Sequence, residues 1–340
     1  MLKKVLLALL FLIIIGAGLI AWIFLTPNTA FEEDKKFLYV RTGQTSKAEV
    51  LTLLSDSGYI RNRQAFSLLA DRMKIWDRIR PGKYEISKKD GLVEIARMLR
   101  NGTQVPVNLV ITKVRTREQL ARVIGSRFET DSTTMMNFLN HPDSISGYGV
   151  DTTTFMSIVF PNTYTYLWAA SARVNLDKLY AELEKFWTEE RRELASKKGL
   201  TTQQVYTLAS IIEEETNYGP EKGNMASVYL NRLNKRMRLG ADPTVKFALR
   251  DFGLRRIYQT HLQADSPYNT YRYFGLPPGP ICTPSAETIE AVLNAPETKY
   301  LYFVAHHDFT RKHIFTENYA DHLKYARLYR TALDKRQKAQ

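Results

Sequence analysis

The sequence predicts an α+β protein in three parts: an apolar N-terminal helix, a small α+β module and a larger mixed α+β domain. Three observations carry this expectation. One uninterrupted apolar run opens the chain. Short strand and helix patterns then alternate closely. Longer helical patterns follow, separated by Gly/Pro-rich loops, with two strand-like pieces near the end. The expected divisions are 1–26, 27–112 and 113–340 of the 340 residues. A chain of this length can bury a sizeable core.

The run from Val5 to Leu25 contains only apolar residues and glycines. At about 1.5 Å per residue, a helix over it spans roughly 30 Å, the depth of a bilayer core. It is longer than the roughly 7–15 apolar residues of a cleaved signal peptide, and no A-x-A site follows it. A single-pass transmembrane anchor in the cytoplasmic (inner) membrane is therefore expected. Lys3 and Lys4 precede the run, and Glu32, Glu33 and Asp34 are the first charges after it. The positive-inside rule leaves the N-terminus in the cytoplasm and puts the remainder on the extracytoplasmic, periplasmic side.

The formal net charge is +13. It is unevenly spread: eighteen basic and seven acidic residues lie between Lys35 and Arg117. Such a patch suits nucleic acid, anionic lipid or an acidic polymer. The expected topology argues against nucleic acid. The one cysteine, Cys282, excludes an internal disulfide framework.

After a polar linker (Thr26 to Asp34), Phe37 to Arg41 alternates like a strand. Ser46 to Ser57 has helical spacing and a capping signal, Ser46 with Glu49. Asn62 to Met73 predicts a second helix. Pro81-Gly82 turns into a strand, Lys83 to Ile86. Leu92 to Leu99 predicts a helix ended by Asn101-Gly102, and Val105 to Thr112 a strand. Further helices are expected over Thr116 to Phe128, Thr133 to Leu139 and, as one long element, Asp177 to Lys198. The segment Ile158 to Tyr166 reads as a loop. Pro220 starts a helix that runs to about Asn234. The stretch Gly275 to Ser285 holds too many Gly and Pro for regular structure. Lys299 to Ala305 and His313 to Thr316 read as strands, and Tyr319 to about Lys335 as the last helix.

The most informative segment is Thr201 to Asn217, a helical pattern closed by three glutamates. At about 100° per residue, Val205, Leu208, Ala209, Ile211 and Ile212 share one face. Glu215 falls in the middle of it, Glu213 toward its flank and Glu214 roughly opposite. A carboxylic acid among Leu and Ile is costly to ionise, so its pKa rises. Enzymes use this arrangement for a proton donor near neutral pH. Spacing alone is equally compatible with a solvated helix end at Glu215.

Six segments in order carry a resemblance: LASIIEEET (Leu208 to Thr216), ASVYLNRL (Ala226 to Leu233), MRLGADPTV (Met237 to Val245), SPYNTY (Ser266 to Tyr271), GLPPGPI (Gly275 to Ile281) and YLYFVA (Tyr300 to Ala305). Together they resemble the MltG (YceG-like) family of membrane-anchored endolytic lytic transglycosylases, over nearly the whole chain. The resemblance implies that the small module is LysM-like and binds peptidoglycan glycan strands. It implies cleavage of the MurNAc–GlcNAc bond with a 1,6-anhydro product and no cofactor. It places the catalytic glutamate at Glu215, two residues after the first Glu of the motif. Glu215 would protonate the leaving oxygen, then take the proton of the sugar's own 6-hydroxyl. The resemblance also points to cell-wall synthases (penicillin-binding proteins) as partners.

Candidate substrate-binding residues are Asn231, Arg232, Asp242, Tyr268, Asn269, Thr270, Tyr271 and His313. Arg232 could equally form a helix-end ion pair, Asp242 a turn, and the tyrosines core contacts. Glu213 and Glu214 read as surface or supporting carboxylates. Glu221 reads as an acid favoured by a helix dipole. His306, His307 and His313 lack ligand-type spacing, so no metal is expected. The chain departs from the family pattern at Asn162, where Asp is usual, and at Cys282 to Ser285; the 128–159 stretch matches it poorly. Two other readings stay open: a water-using muramidase with Glu213 or Asp242 as second carboxylate, and a non-enzymatic peptidoglycan anchor.

Overall fold

The computed structural model describes residues 2–338. It contains α1 (Leu2–Leu25), β1 (Lys35–Val40), α2 (Lys47–Asp56), α3 (Arg63–Met73), β2 (Gly82–Ser87), α4 (Leu92–Asn101), β3 (Val107–Ile111), α5 (Arg117–Gly125), α6 (Ser132–Asn140) and α7 (Pro142–Ile145). β4 (Asn162–Tyr166), α8 (Ala172–Phe186), α9 (Glu189–Lys197), α10 (Thr202–Glu215), α11 (Lys222–Asn234), α12 (Asp242–Ala248) and α13 (Ala286–Leu293) follow, then β5 (Tyr302–Ala305), β6 (His313–Thr316) and α14 (Tyr319–Lys338). The sheets are three two-stranded pairs, β1–β2, β3–β4 and β5–β6. Helices thus dominate a mixed α+β fold.

The chain forms two compact units. The first holds the residues up to Asn108, with Arg127–Thr130 and Thr165–Ser171. α1 is apolar over Lys3–Leu25, with a mean hydropathy of 2.9, long and apolar enough to cross a membrane. β1 and β2 pair antiparallel, with Leu38 opposite Tyr84 and Tyr39 opposite Lys83. Strand alternation sends Leu38, Val40, Tyr84 and Ile86 inward. They meet Val50 and Leu54 of α2, Phe66 and Ala70 of α3, and Ile95 and Leu99 of α4. Local signals set the ends: Ser46 and Glu49 form the capping box of α2, and Gly102 stops α4 at φ 65°.

The second unit holds Leu109–Ser126, Asp131–Tyr164 and the chain from Ala172 onward. α10 is its central element. Thr201 and Gln204 form its capping box. Every residue from Val205 to Ile212 is buried, so this helix has no solvated side in its middle. The polar residues are satisfied accordingly: the Ser210 hydroxyl donates to the Thr207 carbonyl and accepts from the Ile281 amide. The wheel reading of one apolar face was too narrow, because α11, α12 and α13 pack around α10 as well.

Four expectations need correction. Asp177 to Lys198 is two helices, because Thr188 caps α9 through the Arg191 amide. Part of the Ile158 to Tyr166 loop is strand β4. Asp242 opens a helix, α12, where a turn was expected, with Pro243 in its first turn. Pro220 lies in a 3₁₀ turn, Gly219–Glu221, that leads into α11.

Candidate active site

Glu215 is the last residue of α10. It lies half-buried in the wall of a cleft of about 620 Å³, lined also by Tyr218, His306, Phe309, Lys312 and His313. Its carboxyl is raised to about 7: burial is the main cause and the nearby Asp242 charge adds to it, while a hydrogen bond from Tyr229 and the charges of Arg232 and Lys246 oppose the rise. The C-terminal end of a helix also disfavours a negative charge. The Tyr229 hydroxyl donates to Glu215 Oε1 at 2.8 Å, and burial pushes the phenol well above its usual value.

The two neighbouring glutamates differ by their partners. Glu213 accepts from Lys222 Nζ at 3.3 Å, from the Ser285 hydroxyl at 3.0 Å and from the Thr288 hydroxyl. Burial would raise its carboxyl, but those bonds and the Lys222 charge hold it below the usual range. Glu214 pairs with Lys113 at 3.2 Å and Arg115 at 3.0 Å. Neither is a surface carboxylate: their side chains are 15% and 17% exposed. Of the three, Glu215 alone has no direct ion-pair partner among the described residues.

Asp242 is held beside this site by a turn. The Ala241 amide donates to Thr270 Oγ1 at 3.0 Å, and the Gly240 amide to the Thr270 carbonyl at 3.1 Å. Gly240 has φ 57°, with Arg232 and Tyr271 each 3.7 Å from where a Cβ would sit. The Tyr271 hydroxyl then reaches Asp242 Oδ1 at 2.6 Å. Asp242 and Tyr271 are both within electrostatic reach of Glu215.

The remaining candidates have other employment. Asn231 Nδ2 donates to the Thr298 and Tyr300 carbonyls. Arg232 donates to the Leu301 and Leu239 carbonyls, and its charge is felt by Glu215. Asn269 is fully buried, donating to the Leu262 and Ala264 carbonyls and accepting from the Tyr271 amide. Thr270 is buried against Thr244. Tyr268 packs on Phe247, with ring centroids 4.6 Å apart, and its hydroxyl is directed to the Thr153 carbonyl at 3.5 Å. His313 lines the Glu215 cleft. Its backbone amide and Nδ1 both meet the buried Glu221 carboxylate. The Pro-rich loop borders a different cavity, of about 590 Å³, beside the N-terminal half of α10. Tyr229 and Lys246 were not singled out from sequence. Tyr229 lies inside the ASVYLNRL segment, fourteen residues after Glu215, a separation that carries no spacing signal because a turn and a second helix intervene.

The YceG-like family model matches residues 38–328. The chain belongs to the YceG-like family. It is 28% identical over 328 residues to the endolytic murein transglycosylase of Bacillus subtilis (strain 168), covering 92% of this chain and 90% of that one. It is 26% identical over 326 residues to the endolytic murein transglycosylase of Streptococcus pneumoniae serotype 2, covering 85% of this chain but only 58% of that longer protein. A 2.6 Å crystal structure of a yceG-like protein from Listeria monocytogenes superposes with a TM-score of 0.57 at 28% identity, over 86% of this chain and 99% of that one.

Proposed function

We infer that this YceG-like protein is a lytic transglycosylase that cuts peptidoglycan glycan strands within the chain, at the MurNAc–GlcNAc bond, leaving 1,6-anhydroMurNAc ends. The observation that carries the reading is Glu215: a carboxyl raised to about 7, open to a cleft, with no cation among the described residues paired to it. The acid form protonates the leaving glycosidic oxygen. The carboxylate so formed takes the proton of the 6-hydroxyl as that oxygen closes on the anomeric carbon. An internal nucleophile replaces water and removes the entropy cost of a bimolecular attack. Tyr229 supports the carboxylate half of the cycle by hydrogen bonding to the charged form. Asp242 and Tyr271 border the reacting centre, and Arg232 and Asn231 hold its frame.

The first compact unit supports the glycan-binding part of the reading. Residues 27–112, of which those up to Asn108 lie in this unit, would be the LysM-like module, ahead of a catalytic domain over 113–340. On the outer face of β1, Phe37 and Tyr39 alternate with the buried Leu38 and Val40, and Lys83 lies over the Phe37 ring at 3.9 Å. Tyr39 is 41% exposed and meets Trp168 edge-on at 4.9 Å. Aromatic faces of this kind stack on sugars. α1 would anchor the protein in the cytoplasmic membrane with both units outside, where the wall and its synthases are.

Mass spectrometry of uncrosslinked glycan treated with wild-type and Glu215→Gln protein tests the reading. Anhydro ends are expected from wild type, and a rate roughly 10²–10⁴-fold lower from the variant. Glycan binding that is the same in both proteins, with cleavage by neither, would make it a mere anchor, and equal cleavage by both would remove Glu215 from the proton-donor role. Reducing ends from wild type would make it a hydrolase, with Glu213 or Asp242 as the second carboxylate; the Asp242 charge acts on Glu215.

A further inference from the structure

Glu221 has a place in the site that its position in the first turn of a helix does not explain. It is 9% exposed, and its charge is not directed to solvent. Both carboxylate oxygens accept from the His313 backbone amide, at 2.9 and 3.1 Å, and Oε2 lies 3.0 Å from His313 Nδ1. A carboxylate offers only acceptors, so Nδ1 is the nitrogen that carries the hydrogen. Among the described residues Nε2 has no hydrogen-bond partner, and 17% of the side chain stays open, on the wall of the cleft that Glu215 lines. The ring is held from a third side. Phe303 meets it edge-on at 5.7 Å and meets Tyr229, the partner of Glu215, at 5.9 Å. Glu221, His313, Phe303, Tyr229 and Glu215 thus form one packed series.

We propose that Glu221 is a positioning residue that fixes His313 with Nε2 as a hydrogen-bond acceptor facing the cleft, and that this nitrogen holds the 6-hydroxyl of the sugar whose anomeric carbon reacts. The proposal rests on the transglycosylase reading of Glu215. The hydroxymethyl arm of a sugar has three staggered rotamers, and ring closure needs the one that puts the oxygen over the anomeric carbon. A fixed acceptor selects it and turns an oxygen lone pair toward that carbon. The step then balances. The C1–O6 bond forms as the glycosidic C1–O bond breaks. The Glu215 proton goes to the leaving oxygen; the 6-hydroxyl hydrogen, directed at Nε2 while Glu215 is still protonated, then turns to the carboxylate so formed and passes to it. His313 ends as it began, and no co-reactant is needed. An acceptor without a hydrogen of its own suits this task; an imidazole held the other way round would present a donor.

The test uses the full chain on uncrosslinked glycan strands, with end groups counted by mass spectrometry. Wild type should give anhydro ends. His313→Phe, which keeps a ring against Phe303 but removes the acceptor, should be roughly 10- to 100-fold slower. Its remaining products should shift toward reducing ends, because water competes for an unheld anomeric carbon. Glu221→Gln should fall between. The ¹⁵N shifts of His313 at mildly alkaline pH should report an Nδ1-protonated ring in wild type and a mixture in Glu221→Gln. An unchanged rate and anhydro share in His313→Phe would overturn the proposal, as would a wild-type ring protonated on Nε2. Reducing ends from wild type itself would overturn the transglycosylase reading first, and this role with it.

Discussion

Three adjacent glutamates show how the same side chain acquires different chemistry from its partners. Glu213 is neutralised by Lys222, and Glu214 by Lys113 and Arg115. Glu215 faces a phenol and another acid in place of a cation at bonding distance. Desolvation is then left uncompensated, and the carboxyl stays protonated to about pH 7. Activity that needs the acid form should therefore fall as pH rises through that value. Removing the Tyr229 hydroxyl removes a bond that favours the charged form, so Tyr229→Phe should move the alkaline limb of the kcat/KM profile upward; an unmoved limb would separate Tyr229 from the proton donor. The apolar setting of Glu215 was legible in the sequence, but only in part. The apolar positions at Leu208, Ile211 and Ile212 pointed to it. What the helical wheel could not contain were the basic partners of its neighbours, since Lys113 and Arg115 come from about a hundred residues away. The pairing of Glu221 with His313 was out of reach for the same reason: the two are 92 residues apart.

At the level of elements, local rules located most helices and strands of the first unit to within a few residues. Ser46, Asn62 and Gly102 cap the helices that their sequences announce. Local rules failed where a short-range and a long-range preference disagreed. Charge alternation continues through Thr188, yet the threonine side chain caps a new helix there. β4 looked like a loop because strand pairing with β3 is a property of distant chain. The contact of α10 with the Pro-rich loop is also long-range. The Ser210 hydroxyl accepts the buried Ile281 amide at 3.0 Å, and the Cys282 thiol meets the Ser210 carbonyl at 3.4 Å. Ser210→Ala leaves that amide unpaired and should cost about 1–3 kcal/mol. Urea unfolding of the two proteins checks this, and equal midpoints would mean that another acceptor takes over.

The whole molecule joins an apolar helix, a basic unit with exposed aromatics and a unit holding one raised carboxyl. Composition alone identified the first two, because length, apolarity and net charge are sums over sequence. The third needed order: helices α11, α12 and α13 pack around α10 only after folding. If α1 is an anchor, full-length protein should stay with membranes through a high-salt wash, and protein lacking residues 1–26 should not; retention of the shortened protein would assign membrane attachment to the basic unit instead. Everything assigned to the cleft depends on the acid form of Glu215 at neutral pH. The most direct measurement is a ¹³C NMR titration of the side-chain carboxyls in labelled protein, with Glu215 assigned by its loss in Glu215→Gln. A midpoint near 7 is expected. A midpoint near 4.5, the ordinary value for this group, would contradict the account.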